Sequence, residues 1–181
     1  VKTTCAHTAV LTIGEAGGSA GSIVCVPVSA NGLSDAVGFQ FTLAFDPAKL
    51  TYQGCTSWGG GCNGAAVQIT PLSGGKVTFV YNDAPVNLDN GKFFEICFTV
   101  NAGAAGSVPV FWSDSPTLRE FSDSEAEAIP CIYTNGAVVV NVGWTLSGVL
   151  TYPHYSTQTL TTLPDVPLFL VYSGDAGRDT S

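Results

Sequence analysis

The sequence predicts an all-β chain folded as a two-sheet sandwich, and three observations carry that expectation. Apolar and polar residues alternate with a period of two in segment after segment, the pattern of strands with one buried face. Clusters of Gly, Asn, Asp and Pro separate these segments at short intervals. No stretch keeps a helical period for three turns. Many short strands at this spacing point to a sandwich rather than to a helical or α/β domain.

Taken in order, His7 to Ile13 is the first candidate strand, followed by the turn signal Gly17-Gly18. Val24, Val26 and Val28 then alternate with Ile23, Cys25 and Pro27 up to Asn31-Gly32. Phe39, Phe41, Leu43 and Phe45 share one face, and Gly38, Gln40, Thr42 and Ala44 the other, before Asp46-Pro47. Leu50 to Cys55 and Ala65 to Thr70 flank a glycine run at 59–61. After Gly74-Gly75, Val77, Phe79 and Tyr81 alternate with Thr78, Val80 and Asn82. Between Asn90-Gly91 and the glycines of 103–106, Phe94, Ile96, Phe98 and Val100 alternate with Phe93, Glu95, Cys97 and Thr99. Ser107 to Trp112 follows, then Ile129 to Val142, broken near Asn135-Gly136.

Composition limits what such a sandwich can do. Only 11% of the 181 residues are charged, against roughly 25% in an ordinary soluble domain. With 45% hydrophobic residues the chain is nonetheless too apolar for a disordered tail. The six basic residues are scattered singly in a chain of net charge −8, which leaves no electrostatic footprint for nucleic acid. Apolar runs stop far short of the roughly 18 residues a membrane span requires. The length fits one domain, or one domain with an appendage.

Six cysteines, at 5, 25, 55, 62, 97 and 131, lack any Cys-x-x-Cys pair and have only His7 and His154 as imidazole company. That is not zinc spacing. Disulfides formed in an oxidising, extracellular setting explain the even count better, with six cysteines allowing fifteen pairings.

Several of these segments, in this order, are similar to a known family. Gly21-Ser-Ile-Val-Cys-Val-Pro-Val, then Val37-Gly-Phe-Gln-Phe-Thr-Leu-Ala-Phe-Asp-Pro-Ala-Lys-Leu50, then Gly75-Lys-Val-Thr-Phe-Val-Tyr-Asn-Asp83, Gly91-Lys-Phe-Phe-Glu-Ile-Cys-Phe-Thr-Val100 and a closing Asn135-Gly-Ala-Val-Val-Val make residues 8–142 resemble a cohesin module. Cohesins are the receptor half of the cohesin and dockerin pair on bacterial extracellular scaffolds. The resemblance implies a nine-stranded sandwich of jelly-roll topology spanning residues 1–142. It also implies the pairings Cys25–Cys97, Cys5–Cys131 and Cys55–Cys62. Dockerin contacts would fall on outward residues of one sheet, here Gly38, Gln40, Thr42, Thr78, Val80 and Asn82. Because this face is mostly small and uncharged, dockerin capture enters as the alternative expectation rather than the leading one.

The leading expectation comes from residues 143–181, a C-terminal strand extension. Trp144, Leu146, Gly148, Leu150 and Tyr152 alternate with Thr145, Ser147, Val149 and Thr151, and a Ser/Thr-rich stretch follows. The run 146–152 with 163–170 resembles the opening strands of a small secreted sandwich whose remaining strands are missing. In Val166 to Tyr172 both parities are apolar, Val166, Leu168 and Leu170 on one side and Phe169 and Val171 on the other. Such a strand needs cover on both faces. Fold-back, a cut module and donation to a neighbouring copy compete; donation by strand addition leads, and an open heterologous contact of that kind builds filaments. The expected role is therefore a non-catalytic, secreted or cell-surface assembly module. Its partner is another copy of itself, or alternatively a dockerin-like protein.

The remaining candidates are weaker. Trp58, in the glycine-rich loop between Cys55 and Cys62, could present a platform to a sugar ring or a subunit, giving carbohydrate binding as a third reading. Asp114, Glu120, Asp123, Glu125 and Glu127, or Asn82, Asp83, Asn87 and Asp89, supply hard oxygen ligands, but neither group has the Asp-x-Asp-x-Asp-Gly spacing. No cofactor or metal is assigned, with structural calcium left open. His7 and His154 accompany no nucleophile elbow, no His-Glu-x-x-His and no phosphate loop, so an enzyme is not expected.

Overall fold

A computed structural model describes residues 8–56, 67–88 and 90–141, together with the backbone of two short strands at 151–153 and 160–162. The chain divides into two compact units, Val1–Gly143 and Trp144–Ser181. Among the described residues of the first unit, every regular element is a strand: β1 (Ala9–Ile13), β2 (Glu15–Gly18), β3 (Ile23–Asn31), β4 (Leu33–Phe45), β5 (Leu50–Thr56), β6 (Val67–Leu72), β7 (Lys76–Leu88), β8 (Gly91–Val100), β9 (Gly106–Ser113), β10 (Glu120–Asp123), β11 (Cys131–Thr134) and β12 (Gly136–Val140). No helix among the described residues is long and apolar enough to cross a membrane.

The alternation sorts these strands into two mixed sheets. The first runs β11-β1-β3-β8-β5, and the second runs β2-β12-β9-β4-β7-β6 with β10 beside β4. Val24, Val26 and Val28 of the first sheet and Phe41, Leu43 and Phe79 of the second are all buried between the sheets. Removing a Phe or Val side chain of this size from water stabilises a fold by about 1.5–3 kcal/mol, so the paired apolar faces account for the two-layer architecture.

Among the described residues of the first unit, twelve strand segments stand against the nine strands the resemblance implies, largely because two long strands change sheets midway. β1 pairs in parallel with β11, from Ala9 opposite Cys131 to Thr12 opposite Thr134. Past Gly14 the chain enters the second sheet as β2, where it pairs in parallel with β12. The switch has a local cause. The Gly14 N–H donates to the Pro27 carbonyl at 2.8 Å, and Pro27 itself has no N–H to offer on that side, so β1 loses its ladder there. β11 and β12 break at the matching point, Asn135, whose Oδ1 accepts the Trp112 backbone N–H at 3.1 Å.

Cys25 lies opposite Cys97 in the β3–β8 ladder, and the two form a disulfide across 72 residues of chain. A closure of this kind contributes about 2–4 kcal/mol, chiefly by restricting the unfolded chain. Cys55 is also disulfide-bonded; its expected partner Cys62 lies outside the described residues. The third expected pair is corrected: Cys131 carries a free thiol. The half-buried Cys131 Sγ donates to the Ile129 carbonyl at 3.3 Å, and burial raises its pKa, so it rests as a neutral thiol. Cys5 is outside the described residues.

In the second unit, β13 (Thr151–Pro153) and β14 (Leu160–Thr162) pair antiparallel, with Tyr152 opposite Thr161.

Candidate partner-binding face

β4 places Gly38, Gln40, Thr42 and Ala44 on the outer side of the second sheet because Phe39, Phe41, Leu43 and Phe45 are drawn into the core. Opposite them across the β4–β7 ladder stand Asn82, Val80, Thr78 and Lys76. The register therefore brings all six expected face residues together. β6 extends the rows on one side, with Gln68 opposite Val80 and Thr70 opposite Thr78. β10 extends them on the other, with Glu120 opposite Gln40 and Ser122 opposite Gly38. One row, Gln68–Val80–Gln40–Glu120, thus crosses four strands.

Two of the six expected residues are not available to a partner. Thr42 is 0% exposed and Thr78 8%. The segment between β9 and β10 passes over Thr42, whose hydroxyl donates to the Thr117 carbonyl and accepts the Thr117 N–H, both at 3.3 Å. Thr78 turns its hydroxyl onto the Thr70 carbonyl at 3.3 Å. What stays open is a shallow groove of about 340 Å³ lined by Gly38, Gln40, Val80 and Asn82, with Glu120 and Ser122 on its wall. Val80 is the exposed apolar residue in it, at 40%.

The sequence groups Glu120 with possible calcium ligands and does not single out Ser122. Their signal was the alternation of Glu120, Phe121 and Ser122 about one apolar residue, too short to stand out from its acidic surroundings. Phe121, 1% exposed, is what fastens β10, through rings 5.0 Å from Phe39 and 6.1 Å from Phe41. The Gln40 amide then donates to the Glu120 carboxylate at 3.3 Å. Gly38 keeps the floor low: a Cβ there would sit 2.8 Å from Ser122 Oγ.

At the groove's edge, Arg119 holds Asp114 in a two-point grip, Nε to Oδ1 at 2.7 Å and Nη2 to Oδ2 at 2.8 Å. That side-chain hydrogen bonding lowers the Asp114 carboxyl from 3.8 to about 2 and raises Arg119 in return. Since the folded value lies below the unfolded one, the charged grip is complete above 3.8 and is lost as pH falls through about 2. A carboxyl titration followed by NMR is expected to place the Asp114 midpoint near 2; a midpoint at the ordinary aspartate value would contradict the grip. The guanidinium also lies 4.4 Å over the Tyr133 ring.

Two of the described candidate calcium ligands are engaged by backbone N–H groups. Asp123 Oδ1 accepts the N–H groups of Glu125 and Glu127 at 3.0 and 2.9 Å, and Asn87 Oδ1 accepts the Asp35 N–H at 2.8 Å. Asp123 closes a turn, and Asn87 ties the end of β7 to β4. Among the described residues no cluster of three His, Cys, Asp or Glu is placed to hold a metal ion. Asp89, Trp58, His7 and His154 lie outside the described residues, as do the expected assembly-strand residues Val166, Leu168, Phe169, Leu170 and Val171.

Strand donation would also need a receiving edge. The outermost strands of the two sheets are β11 and β5, and β2 and β6. β2 and β11 have four residues each; β5 slips register at Tyr52/Gly54; β6 carries Pro71. Short, kinked or proline-bearing edges resist strand addition, so these four edges are poor acceptors.

Residues 9–140 match the family model described as Cohesin domain. Among solved structures, the chain is similar to the sixth cohesin of scaffoldin B from Acetivibrio cellulolyticus, solved in complex with a mutant Cel5 dockerin. The TM-score is 0.65 at 27% identity, covering 74% of this chain and 99% of that one. It is also similar to the third cohesin ScaC of Acetivibrio cellulolyticus, solved with the ScaB dockerin, with a TM-score of 0.64 at 23% identity over 75% of this chain and 100% of that one. A non-cellulosomal cohesin from the hyperthermophilic archaeon Archaeoglobus fulgidus gives a TM-score of 0.60 at 15% identity over 75% and 92%. The last two likenesses speak to the fold alone. No curated protein matches the chain.

Proposed function

This chain belongs to the cohesin family, a family of non-catalytic protein-interaction modules, and on that premise we propose that it captures a dockerin-type partner on the outer face of β4, β7 and β10. The observation that carries the reading is the open row Gln68–Val80–Gln40–Glu120, on the face that the family resemblance assigns to the dockerin. A solved cohesin at 27% identity was crystallised with a dockerin. Dockerin capture therefore replaces self-assembly as the leading reading. Strand donation by Val166 to Val171 has no comparable support, and neither does sugar binding at Trp58. The Cys25–Cys97 disulfide suits an extracellular scaffold, where such bonds persist.

The test is capture of calcium-loaded dockerins by the full chain, measured calorimetrically against a panel that includes the Cel5 and ScaB dockerins. At least one is expected to bind with a Kd of 1 µM or tighter, corresponding to about −8.2 kcal/mol. Val80→Asp, which places a carboxylate in the middle of the open row beside Gln40 and Glu120, is expected to weaken that capture roughly 100-fold, about 2.7 kcal/mol, with little change in Tm. A panel with no binder, or a Val80→Asp chain that captures as the native one does, rejects this assignment.

A further inference from the structure

We infer that Asp114, Arg119 and Tyr133 form a strut that presets the 114–119 segment as one rim of the docking face, which makes them positioning residues for partner capture. The inference rests on the function proposed above and deepens it. Its foot stands on the first sheet. Tyr133 belongs to β11, and its ring lies 5.2 Å from that of Trp112. The Trp112 indole donates to the Thr134 carbonyl at 3.0 Å, which fixes the β9 side as well. The guanidinium of Arg119 caps this pair 4.4 Å above the Tyr133 ring and turns its planar fork onto both oxygens of Asp114.

The head of the strut is a segment tied down at several further points. The Arg119 backbone N–H donates to Asp114 Oδ1 at 3.3 Å. Ser113 and Ser115 exchange hydrogen bonds at 3.1 and 3.2 Å. Lys76 Nζ donates to Ser115 Oγ at 3.4 Å. Thr117 is doubly bonded to the buried Thr42. Against that background Leu118 stands out at 65% exposure, immediately before Arg119 and Glu120.

A single exposed leucine is ordinary. A fixed one beside an open groove is less so, because immobilising a contact loop before binding removes an entropy cost that association would otherwise bear. Each charge of the pair is already engaged by the other. Their contribution therefore passes through the placement of Leu118 and Glu120. Arg is required for this: a lysine keeps the charge but has neither the two-point fork nor the flat surface that covers Tyr133.

Two measurements on the full chain test the strut. Amide hydrogen exchange without partner is expected to show the Thr117 and Arg119 N–H groups losing at least roughly tenfold protection in Arg119→Lys and in Asp114→Asn, while core amides of β4 and β8 hold theirs. Dissociation of a dockerin identified with the panel above is expected to speed up roughly 5–10-fold in each variant, and no further in the double variant, because affinity losses within one interface fall mainly on koff. Unchanged exchange at these amides overturns the strut. Raised exchange with unchanged dissociation overturns its role in docking. A native chain that captures no dockerin overturns the functional reading and the docking role with it, whereas the exchange result, obtained without partner, reports on the strut separately.

Discussion

Phe41→Ala is expected to lower the free energy of unfolding by about 3–5 kcal/mol, shifting the urea midpoint down with no change in slope. Phe41 is 0% exposed and sits where both sheets meet. Its ring lies 4.8 Å from Phe79, 5.1 Å from Trp112 and 6.1 Å from Phe121, all of the second sheet, and 6.0 Å from Phe94 of the first. Rings of this size, each already packed against several others, cannot fold inward to fill the hole. The loss should therefore contain a full cavity contribution beyond the transfer of the ring. A loss under about 1.5 kcal/mol would mean that the cluster collapses around the substitution. Because Gln40 and Thr42 flank Phe41 on the outer face, dockerin capture by this variant should weaken even below its unfolding temperature.

The alternation around Phe41 was readable from the residues, and so was the all-β, two-sheet class. Where the period failed, a local irregularity or a distant segment was responsible. Phe93 falls on the parity of Glu95 and Cys97, yet it is 2% exposed. The β3–β8 ladder slips there, with Val28 opposite Phe94 and Ser29 opposite Lys92, so that Phe93 is turned inward and meets Phe39 at 5.5 Å. A bulge of this kind leaves no trace in a period of two. β2 was missed for another reason. Glu-Ala-Gly-Gly has no strand character of its own, and its extension is imposed by the parallel partner β12.

For the site, parity placed all six face residues on the outer side, since parity is a property of each strand alone. Their accessibility is not. Thr42 is covered by Thr117, 75 residues away, and no pattern local to β4 records that. The same holds for Glu120, which joins the groove only because Phe121 is drawn beneath Phe39. A cysteine count shows that disulfides are favourable but not that Cys131 stays free. Pairing depends on which strands become neighbours, and only the β3–β8 ladder brings two of the described cysteines opposite each other.

Gly136→Ala carries the other large expected effect, at least about 3 kcal/mol, the upper part of the range for overpacking. β1 and β11 leave the first sheet together, and at that corner the chains approach so closely that only a hydrogen fits. A Cβ on Gly136 would lie 2.0 Å from the Gly14 carbonyl oxygen and 2.5 Å from that of Ile13. Both obstacles are backbone, so no change of rotamer relieves them. The corner would have to open, and opening it loosens the Ala137 N–H bond to the Gly14 carbonyl, 3.2 Å in the native chain. Gly17→Ala is the matched control. It lies on the same pair of strands, but its Cβ would meet the Asn141 side-chain amide at 3.3 Å, a group that can swing aside, and the Val139 carbonyl oxygen at an ordinary 3.7 Å. Thermal unfolding of the two variants should therefore separate them clearly, with Gly136→Ala melting far below the native chain and Gly17→Ala close to it. Equal Tm values would show that the paired sheet switch is not the constraint holding this corner together. The switch matters for capture as well, because β12 pairs with β9, and β9 with β4, in the sheet that carries the docking face. A corner forced open at Gly136 would be transmitted to that face through the β4–β9 ladder, from Phe45 opposite Val110 to Thr42 opposite Ser113.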